Sequence, residues 1–142
     1  MKDLSGSPII QLASRGLAPV IQIFGLYVFF HGHYSPGGGF QGGVLLAASV
    51  LLLRLGWGSE HSQLTFSTSV AMPFCALGAM IFAGTGVVAL LFGGNYMDYA
   101  AIPFLGLEAA DVRSFGILFI ELGVTIAVMT ALVSIYDDLV GI

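Results

Sequence analysis

Between Arg15 and Arg54 the chain carries no Asp, Glu, Lys or Arg. That stretch is about twice as long as one helix needs to cross a bilayer, for which about 20 apolar residues suffice. Backbone in hydrocarbon must satisfy its own hydrogen bonds, so such a run reads as helix and has to turn back once. The turn is written in its middle, at His31-Gly32-His33-Tyr34-Ser35-Pro36-Gly37-Gly38-Gly39, where Pro and clustered Gly break a helix and Ser35-Pro36 can cap and start the next. A second charge-free stretch runs from Glu60 to Asp98, and a third apolar segment is broken by Glu121. The expected architecture is an all-α membrane protein of one domain, with about four transmembrane helices over residues 16–30, 38–57, 68–92 and 114–136. Residues 9–14 are expected to lie along the membrane interface, and 93–112 to form a loop with room for a short interfacial helix.

Composition excludes several classes of function. The 142 residues are 57% hydrophobic and 8% charged, about a third of the charged share of a soluble domain. A net charge of -4 has the wrong sign for gripping nucleic acid, so no nucleic-acid partner is expected. With one cysteine, Cys75 in an apolar run, the chain can build neither a disulfide framework nor a thiolate metal cluster. Lys2 is offset by Asp3 and no small-residue cleavage site follows, so the N-terminal stretch is expected to stay in the mature protein. Lys2, Arg15 and Arg54 fall on one side of a four-span layout and Arg113 on the other, which predicts that both termini are cytoplasmic.

Small residues recur in four-residue steps: Gly39, Gly43 and Ala47 in the second span, Cys75, Ala79 and Ala83 in the third, Gly123, Ala127 and Ala131 in the fourth. Such stripes let helix backbones approach closely in lipid, which predicts tight helix packing and says nothing of transport.

Side chains able to do chemistry are few. His31 and His33 lack a third ligand, since His61 lies one span away on the opposite face, so no metal site is expected. The pair fits the headgroup level, where imidazole meets water and caps helix ends. Gly37 to Gly39 lack the Lys-Ser/Thr ending of a phosphate loop, and no Ser, His and acid form a triad, so neither cofactor nor catalytic residue is expected. Asp137 and Asp138 read as a solvated helix end. Glu121 stands apart: a carboxylate about 10 Å inside a helix end is costly in hydrocarbon and marks an ion pathway, a proton relay or a buried pair. At 100° per residue it shares a face with Ser114, Leu118 and Thr125, while Gly123, Ala127 and Ala131 point nearly the other way. A helix engaged on two faces suggests a place within a larger assembly. Glu121, Thr125 and Ser114 are the candidate ion-pathway residues.

The run His31-Gly32-His33-Tyr34-Ser35-Pro36-Gly37-Gly38-Gly39-Phe40-Gln41-Gly42-Gly43, preceded by Leu26-Tyr27, resembles the signature of the B subunit of Mrp-type (Mnh) multisubunit sodium/proton antiporters. The likeness extends over the whole chain, through the four-span layout to an acid in the last span preceded by Phe115-Gly116-Ile117. It implies an accessory, non-enzymatic subunit in the inner membrane of a prokaryote. Its partners would be other membrane subunits of the antiporter, and the ions moved would be sodium and protons. Related subunits serve membrane-bound hydrogenases and sulfur reductases, which leaves a scaffold role without an ion path as the alternative. In the loop motif, His31, His33, Pro36, Gly37, Gly38, Gly39, Phe40, Gly42 and Gly43 are expected to be structural, reversing the chain and starting a closely packed helix. A small multidrug exporter would carry its glutamate in the first span, where this chain has no acid.

Overall fold

A computed structural model describes residues 7–32, 38–58, 66–102 and 108–141. Among them are four long helices and no strand: α1 (Pro8–Phe30), α2 (Gly38–Trp57), α3 (Thr68–Leu91) and α4 (Ala109–Val140), with a single 3₁₀ turn at Tyr99–Ala101 before α4. All four are long and apolar enough to cross a membrane, and the protein is an all-α membrane protein.

Two boundaries differ from the sequence reading. α1 is one continuous helix from Pro8, so residues 9–14 belong to it and are not a separate interfacial segment. Pro8 at its start sets the helical φ and removes an N–H that would have had no partner. α4 has 32 residues and absorbs Asp111 and Arg113 at its beginning, shrinking the expected loop. Charges near a helix end reach water without breaking the helix, so hydropathy misplaces such ends. Gly141, at φ 77°, terminates α4 in the left-handed conformation that glycine adopts at no steric cost.

The helices pack in a row, α1 against α2, α2 against α4, and α4 against α3. α2 and α4 run parallel, because Gly39 meets Glu121 at one end of their contact and Arg54 meets Asp137 at the other. Glycines set these contacts. A Cβ on Gly43 would stand 2.8 Å from the Thr125 carbonyl oxygen, and one on Gly42 would stand 3.1 Å from the Gly25 carbonyl oxygen of α1. Ala47, Val50 and Val133 fill the centre between α2 and α4. Between α3 and α4 the closest approach is Gly78 against Gly123, where a Cβ on Gly78 would lie 2.6 Å from the Gly123 oxygen. The expected stripe of Cys75, Ala79 and Ala83 is thereby corrected: Cys75 faces α4, with Sγ 3.7 Å from the Ala127 oxygen, but Ala79 and Ala83 are exposed and Gly78 takes the contact. A three-residue step from Cys75 keeps to one face of a helix as well as a four-residue step does, and the residue with no Cβ allows the shorter separation.

At the end of the row that holds the termini, four long-range contacts tie the elements together. Trp57 Nε1 donates to the Gln11 carbonyl oxygen at 3.2 Å, with the Arg15 guanidinium 6.0 Å from the Trp57 ring centre. Arg54 Nη2 donates to Asp137 Oδ2 at 2.9 Å and to the Phe66 carbonyl oxygen at 3.2 Å, joining α2, α4 and the lead into α3. Both side chains of the ion pair are fully buried. This overturns the reading of Asp137 as a solvated helix end, while Asp138 beside it is exposed. The physical reason is that α2 is long enough to bring Arg54 level with the last turn of α4, and burial of either charge alone would cost several kcal/mol.

At the other end, Tyr96 packs where a Cβ on Gly86 would be, and Tyr99 where one on Gly116 would be, so the segment after α3 closes over the α3–α4 pair. Burial, and next the neighbouring Tyr96, push the Tyr99 phenol above its ordinary pKa of 10.0, and it stays protonated at neutral pH.

Candidate functional site

Glu121 lies well inside α4 yet beside the very start of α2. A Cβ on Gly38 would collide with Glu121 Oε1, one on Gly39 with the Glu121 backbone, and one on Gly32 would stand 2.7 Å from Oε1. Gly38 also has φ +50°, a conformation that side-chain-bearing residues rarely take. The glycine cluster therefore has a local reason. Positions 38, 39, 42 and 43 of α2 all face inward, Gly38 leaving room for the carboxylate, Gly39 for the Glu121 backbone, Gly43 for α4 and Gly42 for α1, while Phe40 is 61% exposed and Gln41 is exposed. The helical repeat alone turns residues 40 and 41 away from the contact.

The carboxylate is thus pressed against the beginning of a helix, where backbone N–H groups lack intrahelical partners and the dipole is positive. Among the described residues its buried Oε2 has no hydrogen-bond partner, and no cation pairs with it. Thr125, one turn further along α4, is buried, and its hydroxyl lies 2.7 Å from the Glu121 carbonyl oxygen and 3.0 Å from that of Gly39, donating its one proton between them. That proton binds α2 to α4.

Of the expected pathway group, Glu121 and Thr125 come together at the α2–α4 contact, but Ser114 does not join them. It is exposed and its hydroxyl donates to the Ala110 oxygen of its own helix at 3.2 Å. Ser114 does share the Glu121 face, but α2 begins at the level of Glu121 and offers nothing opposite Ser114. Gly123 and Ala127 on the other face of α4 pack on α3, so the two engaged faces of this helix are both satisfied within the chain. His31 caps α1, its N–H donating to the Tyr27 oxygen at 2.9 Å, and its exposed ring stacks on Tyr27 with centres 5.1 Å apart. His33, Pro36, Gly37 and His61 lie outside the described residues. Among the described residues no group of three or more His, Cys, Asp or Glu is placed to hold a metal ion.

Sequence reasoning missed the Arg54–Asp137 pair. A signal was present: Arg54 closes a charge-free run without a break in helical pattern, and Asp137 follows the fourth span with no turn residue before it.

The family described as "Domain related to MnhB subunit of Na+/H+ antiporter" matches residues 9–134. The chain is 33% identical to the B subunit of the Na(+)/H(+) antiporter of Alkalihalophilus pseudofirmus, over 97% of its own length and 99% of that protein's. It is 28% identical to the protein of the same name in Bacillus subtilis, over 85% and 89% of the two chains. The family match covers most of the chain and the Alkalihalophilus pseudofirmus relative nearly all of it, and this protein belongs to the MnhB family.

Proposed function

We propose that this chain is an accessory membrane subunit of a multisubunit sodium/proton antiporter, and that Glu121 takes part in the movement of the ions. It would lie in the plasma membrane of a prokaryote with both termini in the cytoplasm, in a hetero-oligomer with other membrane subunits. The antiporter role rests on the named relatives, which cover nearly all of the chain.

The role of Glu121 rests on one observation: a buried carboxylate oxygen with no partner among the described residues, held at the positive end of α2 in a pocket cleared of side chains by Gly32 and Gly38. Carboxylates at such depth are costly unless they are paired or used, and this one has spare capacity to accept a proton or a cation. Thr125 acts on it as a positioning residue, fixing the α2 start against the Glu121 backbone.

Exchange measured in membrane vesicles holding the assembled complex tests this. In Glu121→Gln, which keeps size and loses charge, sodium/proton exchange should fall severely. In Glu121→Asp, which keeps charge and shortens reach, it should survive in part. Full exchange in an assembled Gln variant would reduce Glu121 to a packing residue and leave the scaffold reading.

A further inference from the structure

The two ends of the helix row differ in what they ask of their surroundings. At one end stands α3, whose described polar side chains are all engaged: Ser69 pairs with Ser67, Cys75 reaches the Ala127 carbonyl oxygen, and the Thr85 hydroxyl donates to the Ile81 carbonyl oxygen at 2.7 Å. Its outer face is apolar, with Met72, Met80 and Leu91 exposed, and lipid satisfies it. At the other end stands α1, which packs mainly on α2 and carries Gln22 in its interior. The contacts of Phe29 with Gly42 and of Ser14 with Gly56 fix the antiparallel register of α1 and α2. That register brings Gln22 opposite Ser49, level with the middle of α2 and about 15 Å from either end of that helix. Ser49 is buried and its hydroxyl donates to the Leu46 carbonyl oxygen at 2.7 Å, while Leu45 and Leu46 are the α2 side chains beside Gly25. Gln22 is half-buried and makes no hydrogen bond among the described residues. A second polar group lies on its side of α1. Pro19 has no N–H to offer the Arg15 carbonyl, and Arg15, Pro19 and Leu26 all fall within about 60° of Gln22 at 100° per residue.

We propose that this side of α1, along its seam with α2, receives a transmembrane helix of another subunit, one that carries an amide or hydroxyl side chain near its middle and hydrogen-bonds the Gln22 amide. The proposal rests on the reading of the chain as a subunit of a multisubunit antiporter and adds the surface by which it joins. The chemistry of Gln22 selects the occupant. Its side chain has two N–H donors and a carbonyl acceptor, which are costly to leave against hydrocarbon, and lipid tails offer them nothing. At the same level α2 presents leucines and a hydroxyl whose one proton is already given to Leu46. Burial of apolar surface does not favour protein over lipid inside a bilayer, so helices there associate through close packing and through polar side chains such as this one. The Arg15 carbonyl, about one turn away, can accept a second hydrogen bond from the same helix, and the exposed Leu26 adds apolar contact on the other side of Gln22.

Photocrosslinking in membranes that hold the assembled antiporter tests this surface. Leu26→p-benzoylphenylalanine places the reactive group one turn from Gln22, and Met80→p-benzoylphenylalanine places it at the α3 end as a lipid-facing reference, both at exposed positions. After irradiation the tagged chain is purified with its co-assembled subunits, and the adducts are identified by mass. The expected result is an adduct of the Leu26 variant with one other subunit, and adducts of the Met80 variant with lipid. Adding Gln22→Leu to the Leu26 variant should lower the protein adduct about threefold, the effect of one interhelical hydrogen bond in a membrane, and Gln22→Asn, which keeps the amide, should lower it less. Adducts of the Leu26 variant with lipid alone, or with a second copy of this chain, would overturn the proposal. An undiminished protein adduct in Gln22→Leu would also overturn it, because apolar packing alone would then seat the helix. Other subunits that co-purify without an adduct at Leu26 would remove this surface and keep the antiporter reading, while a chain that purifies without other subunits would remove both.

Discussion

The α2–α4 contact holds ionisable groups at both ends, about 24 Å apart along α4, and treats them in opposite ways. At the end near the termini, Arg54 and Asp137 meet at 2.9 Å with both side chains fully buried. At the other end, Glu121 lies against glycines with one buried oxygen unpartnered and no counter-charge among the described residues. The first charge pair is consumed by the fold. Its partners are fixed, it ties three elements, and its removal should be felt as lost stability. The second carboxylate contributes little that packing requires, since a carboxylate facing backbone glycine gains no charge pairing for its desolvation. A group held at a cost without being spent on structure is available for binding, and that contrast is the strongest physical reason to look for ion chemistry at Glu121 and not at Asp137.

The contrast breaks first at the ion pair. Asp137→Ala strands the Arg54 guanidinium, whose Nε and Nη1 are already buried without partners among the described residues, and should destabilise the chain by about 3–5 kcal/mol, read as loss of the subunit from membranes or a large fall in thermal stability in detergent. Replacing both residues with apolar ones, as in Arg54→Met with Asp137→Leu, should restore most of that loss, because a buried pair contributes little net once its desolvation is counted. If the double variant is as unstable as the single one, Arg54 and Asp137 do more than offset each other.

A smaller but still large effect is expected at the glycines. Gly39→Leu would drive a side chain into the Glu121 backbone and Gly43→Leu into the Thr125 carbonyl, and either should prevent α2 from seating on α4 at a cost of about 1–3 kcal/mol or more. The complex should then fail to assemble, seen as loss of co-purifying subunits. Normal assembly with altered transport alone would show that the glycines serve the ions directly and not the packing.

The smallest effect sharpens the comparison. Glu121→Gln should change thermal stability by less than about 1 kcal/mol in either direction, because no ion pair among the described residues is lost and the amide fits the same space. A fall as large as that of Asp137→Ala would show that Glu121 has a partner supplied by the assembly and would make the two ends alike.

How much of this was legible beforehand differs between parts of the chain. The charge-free stretches marked out the four helices, since hydrocarbon permits little else, but helix ends carrying charge were drawn too short at residues 109–113 and misread at Asp137. The turn at Gly38 and Gly39 was visible as a break and as a close-packing stripe. The identity of what packs there was not, because a stripe names its own face and not its neighbour. Glu121 stood out by its cost in lipid, and Thr125 by its angle on the helix. The same angle wrongly implied that Ser114 shares their environment, because periodicity fixes a direction and does not say how far the facing helix extends.

The sequence by itself thus determined the class, the number of long apolar helices and the family, because bilayer thickness and backbone hydrogen bonding allow few answers for such a chain and because its likeness to relatives covers most of its length. Tertiary structure alone decided which charge is paired and which has no partner among the described residues. That depends on the level at which α2 begins and ends beside α4, so that Arg54 reaches Asp137 while Gly38 stops abreast of Glu121, and relative helix heights are set by packing between elements that no local pattern encodes.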